Sequence, residues 1–243
     1  MKENGYRLIA SCIFGLRAAA TRNFIRLAVL LMALPAAAQS VNLFPDGGMV
    51  GKQEARQEAW TRVAIPPDHP VSQTPQWHID YAKRVIVCDG NGGHEWLRFN
   101  REFANFTFHV QWRFTPVAEI TDPRTHAISK PKYNSGVFFR NNFDGSIWHQ
   151  AQTTLEGGYI FGLTPVDGKP TRFNLQKEMT EDRVKPAGQW NTYDIRCVGD
   201  TCTLAVNGKV VNTAKVGLEK GYIGLESEGY QITFRDLRLR ELK

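Results

Sequence analysis

From residue 76 onward, apolar and polar positions alternate with a period of two. The clearest run is Phe106-Thr-Phe-His-Val-Gln-Trp-Arg-Phe114. There Phe106, Phe108, Val110, Trp112 and Phe114 share one face, and Thr107, His109, Gln111 and Arg113 the other. That alternation predicts a half-buried β-strand. Two aromatic-rich strands follow between Tyr133 and Gly162, joined by the turn Phe143-Asp144-Gly145-Ser146, and Tyr159-Ile-Phe-Gly comes after them. Strands over 190–198, 201–206 and 209–212 read as a meander with Asn207-Gly208 as a type I′ turn. Further strands cover 221–226 and 230–242. In the last, Ile232 and Phe234 keep one register and Leu237 and Leu239 the other, which predicts a bulge near Arg235-Asp236. The stretches 115–132 and 164–189 read as loops, the second with room for one helical turn. No 3.6-residue apolar period survives beyond the first 38 residues, so the expected domain is all-β, a two-sheet sandwich.

The N-terminus has a different character. Arg22 and Arg26 precede an apolar run over 27–34 and then Pro35-Ala-Ala-Ala-Gln39. A basic region, a short apolar core and an Ala-x-Ala site describe a secretory signal peptide over 1–38, cleaved after Ala38. The apolar run is short for a bilayer span, which takes about 20 residues. Residues 39–75, with Ile65-Pro-Pro-Asp-His-Pro70, read as a segment laid over the sandwich, and 76–243 as the sandwich itself. The leader holds five basic residues and one acidic, so its removal lowers the net charge from +6 to +2. The mature chain has no basic run of the kind phosphate backbones require, which argues against nucleic acid as a partner. The expected location is periplasmic or secreted, with no stable membrane span after cleavage.

Cys197 and Cys202 flank a hairpin turn at Gly199-Asp200, which places them directly opposite; export favours a disulfide between them, the alternative being two buried thiols on an apolar face. Cys88 has no evident partner and reads as buried and inert.

Several side chains suit sugar chemistry. Guanidinium, imidazole and carboxamide groups hydrogen-bond hydroxyls and carbonyls in fixed directions. On the strand through 147–152, alternation sets Trp148, Gln150 and Gln152 on one face and Ile147, His149 and Ala151 on the other. The two glutamines would make a hydroxyl-binding row; His149 is either a functional imidazole or a core one. Arg140, expected to share a face with Phe138 and Asn142, suits stabilisation of an oxyanion or a structural ion pair. Glu226 and Glu228, two apart on a strand, stand about 6.5–7 Å apart along it, a separation compatible with paired carboxylates in glycoside chemistry or with two solvated glutamates. Gly90-Asn-Gly-Gly-His-Glu-Trp-Leu97 is glycine-rich but lacks the Gly-Lys-Ser/Thr ending of a phosphate loop. His94 within it reaches a ligand or caps the loop. Trp96 and Trp148 are candidate stacking platforms, and Asn134 a candidate polar contact. The chain contains no Gly-x-Ser-x-Gly elbow, no His-Glu-x-x-His and no Glu-x-Asp-x-x-Glu strand.

From Trp77 to Leu242 the chain resembles the 3-keto-disaccharide hydrolase domain family. The resemblance rests on Asn134-Ser-Gly-Val-Phe-Phe-Arg140, Pro186-Ala-Gly-Gln-Trp-Asn191, Asn207-Gly208, and Gly221-Tyr-Ile-Gly-Leu-Glu-Ser-Glu-Gly229 followed by Phe234-Arg-Asp-Leu237. The chain departs from the family where His149-Gln-Ala-Gln152 replaces a Glu-x-Gln strand, and where Glu226-Ser-Glu228 replaces Gln-x-His. The resemblance implies a concanavalin-like jelly roll in an exported bacterial protein acting on sugars oxidised at C3. It also implies C2 proton abstraction, elimination of the C1 substituent and rehydration. Glu228 or His149 would be the base, Arg140 the oxyanion stabiliser and Glu226 the acid. A divalent metal in place of the arginine would find ligands in His149 with Glu226 or Glu228. The implied partner is a 3-keto-sugar, with a sugar 3-dehydrogenase upstream. The alternative on the same fold is a non-catalytic carbohydrate-binding module.

Overall fold

The computed structural model describes residues 40–44, 60–121, 123–126 and 128–243, and every helix or strand element among them is a strand. The leader expected over 1–38 lies outside the described residues.

One sheet holds β1 (Ser40–Asn42), β3 (Trp77–Asp80), β4 (Val85–Cys88), β6 (Phe106–Phe114), β13 (Asn191–Val198), β14 (Thr201–Val206), β15 (Lys209–Lys215) and β17 (Ile232–Glu241). Its spatial order is β15-β14-β13-β6-β17-β4-β3, with β1 also on β17. The other holds β2 (Trp60–Ala64), β5 (Glu95–Phe103), β9 (Ser135–Asn141), β10 (Trp148–Thr153), β11 (Ile160–Val166), β12 (Lys169–Asn174) and β16 (Gly221–Ser227), in the order β12-β11-β10-β9-β16-β5-β2. A small hairpin, β7 (Ile120–Thr121) and β8 (Ile128–Ser129), stands apart. Neighbours pair antiparallel although they are distant in sequence, as β6 with β17 and β9 with β16, which is the jelly-roll arrangement.

The alternation in β6 has the consequence expected of it. Phe106, Phe108, Val110, Trp112 and Phe114 are buried while the intervening residues are partly exposed. They join Leu97, Phe99, Val137, Phe139, Ile223 and Leu225 of the other sheet in one apolar cluster. Each such side chain contributes roughly 1.5–3 kcal/mol on burial.

Three segments differ from the sequence reading. The described parts of 39–75 are not simply laid over the sandwich, because β1 pairs with β17 and β2 with β5, extending both sheets. The stretch 164–189 is not all loop: Asp167 and Gly168 take positive φ and close a hairpin between β11 and β12. Asp-Gly is a strong type I′ signal, masked here by the polar residues around it. Within 90–97, Glu95, Trp96 and Leu97 already belong to β5. The bulge expected near Arg235-Asp236 is present, with a register shift between Arg235 and Arg238 and positive φ at Asp236. Cys197 and Cys202 are paired across β13 and β14 and disulfide-bonded; Cys88 is free and buried. No helix among the described residues is long and apolar enough to cross a membrane.

Candidate functional site

The seven-stranded sheet turns one face to the core and bears a cavity of about 630 Å³ on the other. Alternation decides which side chains reach it. In β10, His149 and Ala151 face inward and Trp148, Gln150 and Gln152 line the cavity; in β5 it is Trp96, and in β11 Phe161. Glu226 and Glu228 straddle the inward-facing Ser227 and also line it.

A loop closes the site. Gln76 accepts from Gly92 N at 2.9 Å, donates to the Gly93 carbonyl at 3.1 Å, and accepts from Ser227 Oγ at 2.6 Å. These bonds tie the glycine-rich turn to β16 and set His94 opposite the two carboxylates. His94 Nε2 lies 2.9 Å from Glu226 Oε1 and 3.9 Å from Glu228 Oε2. Gln150 Nε2 donates to the other Glu226 oxygen, and Gln152 donates to Asn134 Oδ1. Two glycines make this packing possible. A Cβ on Gly136 would lie 1.9 Å from Gln150 Nε2, and one on Gly224 would lie 2.3 Å from the Trp96 ring. Both sit inside motifs that carry the family resemblance, so there the glycines serve close approach rather than a turn.

Aromatic rings wall the cavity. Trp148 meets Phe161 edge-on at 4.7 Å and Phe138 at 6.3 Å, while Trp96 meets Phe138 at 5.5 Å. Arg172 on β12 lies over the Phe161 ring at 4.9 Å.

The electrostatics centre on the same three groups. Burial raises the Glu228 carboxyl above its ordinary range and the Glu226 charge adds to this, against attraction from His94 and a hydrogen bond from Asn134. Burial works against the His94 cation, but its hydrogen bond to Glu226 and attraction from both carboxylates outweigh this and raise it. One ligand atom from each of His94, Glu226 and Glu228 can lie within 4.8 Å of the others, which suits a single divalent ion bound by one nitrogen and two oxygens.

Of the residues singled out in sequence, His94, Asn134, Trp148, Gln150, Gln152, Glu226 and Glu228 converge on this cavity. Arg140 and His149 do not. Arg140 is fully buried and donates to the carbonyls of Ala104, Gly199 and Leu218. Its φ of 51° and the register shift beside it on β16 mark a bulge that breaks alternation, so Phe138 and Asn141 line the cavity and Arg140 leaves it. Arg140 is therefore not an oxyanion stabiliser and, among the described residues, forms no salt bridge; it is a tie between loops. His149 is also fully buried, with Nδ1 3.0 Å from the Arg140 carbonyl and Nε2 2.9 Å from Thr164 Oγ1. It is a core imidazole, and His94 takes the place imagined for it beside the glutamates. Sequence reasoning missed Asn141, Phe161 and Arg172. The Asp167-Gly168 turn was the signal that could have placed Arg172 on a strand.

Comparison with known proteins bears on the family and the fold. The sequence profile described as a 3-keto-alpha-glucoside-1,2-lyase-like domain matches residues 52–240. No curated protein matches the chain. Among solved structures, the carbohydrate binding module CBM66 from Bacillus subtilis is 11% identical, with a TM-score of 0.51, over 79% of this chain and 99% of that one. A Bacillus licheniformis beta-glucanase is 10% identical, with a TM-score of 0.47, over 86% and 100%. A beta-1,3-1,4-glucanase (lichenase) from a mouse hindgut metagenome is 10% identical, with a TM-score of 0.48, over 75% and 92%.

Proposed function

We propose, on the premise that the chain belongs to the 3-keto-alpha-glucoside-1,2-lyase-like domain family, that it cleaves 3-keto-glycosides by elimination followed by rehydration. The observation that carries this reading is the convergence of Glu226, Glu228 and His94 with a carboxamide row in one aromatic-walled cavity.

A ketone at C3 acidifies the C2 proton. Glu228 is the more exposed of the two carboxylates, with a carboxyl held above its ordinary range, and is the group suited to take that proton. The C2–H pair becomes the enolate; its collapse restores the C3 carbonyl, forms the C1–C2 double bond and breaks C1–O, and the proton taken by Glu228 passes to the leaving oxygen, so the aglycone departs as an alcohol. Water then adds across the double bond, so the net reaction is hydrolysis. Glu226, held by Gln150 and His94, keeps the cluster in place. Gln152 and Asn134 suit sugar hydroxyls, and Trp148 and Phe161 suit the ring's apolar face. His94, Glu226 and one carboxylate oxygen of Glu228 would hold a divalent cation, which would supply Lewis-acid polarisation of the C3 carbonyl and leave the other Glu228 oxygen to act as the base. The substrate presupposes an enzyme that oxidises sugars at C3.

The test is aglycone release from a 3-keto-glucoside beside the unoxidised glucoside. Glu228→Gln keeps shape and hydrogen-bonding reach while deleting the base, and should lower the rate by about two to four orders of magnitude. Turnover in deuterated water should exchange the C2 proton. Chelation should lower the rate and a divalent ion restore it. Equal turnover of the unoxidised sugar, or cleavage without C2 exchange, overturns the mechanism. The second reading, a non-catalytic carbohydrate-binding module, is favoured by the fold likeness to such a module, and sugar binding without any turnover would select it.

A further inference from the structure

A second cavity of about 510 Å³ lies beside the first and shares Ala64 and Pro67 with it. The 143–146 turn stands between them, with Gly145 and Ser146 lining the first and Phe143 and Asp144 the second. Both open on the same face of the sheet, because Trp96 in the first and Arg98 and Asn100 in the second follow at two-residue steps along β5.

The second cavity has the makings of a sugar site. Phe143 is 63% exposed and presents an aromatic platform at the cavity. The Arg98 guanidinium packs against it, 3.8 Å from the ring centroid and 5.0 Å from that of Tyr222. Arg98 is only 6% exposed, yet its Nε and the neighbouring Asn100 Nδ2 have no hydrogen-bond partner among the described residues. Buried donors left unpaired are costly, and two at the wall of one cavity point to acceptors that a ligand brings. An aromatic platform beside directional donors, with Thr61 at the rim, is the chemistry of a neutral sugar ring.

Spacing identifies which ring. Tyr222 and Glu226 share a face of β16 four residues apart, about 13 Å by strand rise. That exceeds one glycosidic repeat. The reaction releases the C1 substituent, so further units extend from C1.

We propose that the Arg98–Phe143–Tyr222 cavity is a remote subsite for a sugar ring on the leaving-group side, beyond the ring next to the scissile bond. The preferred substrates are then 3-keto-oligosaccharides of three or more units. This rests on the 3-keto-glycoside reading for the reacting ring.

The experiment compares kcat/KM for 3-keto derivatives of a methyl glucoside, a disaccharide and a trisaccharide, in the wild type and in Phe143→Ala. In the wild type kcat/KM should rise from disaccharide to trisaccharide. In the variant the trisaccharide value should fall about tenfold, the worth of one well-placed aromatic contact, with the two shorter substrates within about twofold. Phe143 is exposed, so its truncation leaves the apolar core untouched, and Tyr222→Ala gives a second reading. An equal fall on all three substrates, or no gain from the third unit in the wild type, overturns the subsite. If no keto-sugar is cleaved at all, the reaction fails, and the subsite is then judged by calorimetric binding of the unoxidised trisaccharide and disaccharide. A trisaccharide preference lost in Phe143→Ala upholds it, and equal affinities reject it.

Discussion

His149 has both ring nitrogens engaged. Its Nδ1–H donates to the Arg140 carbonyl and Thr164 donates to Nε2, while Gly217 N donates to Thr164 Oγ1 at 2.7 Å. Burial, the main cause, with the nearby Arg140 charge, pushes the imidazole down to about 4, against backbone hydrogen bonds that raise it. The unfolded chain, with an ordinary value near 6.5, therefore binds the proton more readily. Stability from this residue is complete above pH 6.5 and is lost as pH falls toward 4, about 3 kcal/mol across that window. The His149 imidazole resonances of the folded protein should show little protonation above pH 5, with no His149 transition near pH 6.5, and urea midpoints should drop between pH 7 and pH 4.5. A folded-state transition near pH 6.5 would contradict the assignment. Arg140 shows why such residues resist reading from sequence. Alternation told which face a regular strand would give it, but a bulge set by pairing with β16, a strand some 80 positions later, carried it to three carbonyls. His94, by contrast, was legible as a candidate only because glycines around it announced a turn.

At the scale of the element, β9 and β10 form one device. Gln150 crosses β9 to reach Glu226, and the missing side chain at Gly136 leaves it the passage. In Gly136→Ala the new Cβ would meet the free end of a flexible side chain, so the sheet should survive while Gln150 is displaced. Turnover of a 3-keto-glucoside should fall about tenfold, as expected when a hydrogen bond to a charged group is lost, with the melting temperature shifted by only a few degrees. A variant as active as wild type would separate Gln150 from the chemistry. The strand faces of β6 and β10 could be read from the sequence because side-chain direction is local in a strand. The partners of β16 could not, since pairing is decided by non-local packing. The β11–β12 hairpin lay between. Its Asp167-Gly168 turn was visible, but six largely exposed residues in β12 gave no apolar alternation to support it.

For the whole molecule, the N-terminal boundary bears on location. The first described strand, β1, begins at Ser40 and is zipped to the last, with Val41 opposite Leu239 and buried. Cleavage after Ala38 would leave that strand intact, whereas cleavage a few residues later would remove it and uncover β17. The Cys197–Cys202 bond closes an exposed hairpin end and is at home in an oxidising compartment. Cys88, fully buried and with its thiol pushed up to about 11 chiefly by burial, should stay reduced and unreactive there. We propose that the protein is exported and works outside the cytoplasm, where extracellular glycosides would meet it. N-terminal sequencing of the exported form should begin at Gln39. Mass spectrometry of the native, unreduced protein should find Cys197 joined to Cys202 and no alkylation of Cys88 until the chain is unfolded. Recovery only of an uncleaved cytosolic chain with Cys197 and Cys202 reduced would overturn the export assignment, while leaving the geometry of the cavity and its chemistry to be tested on their own.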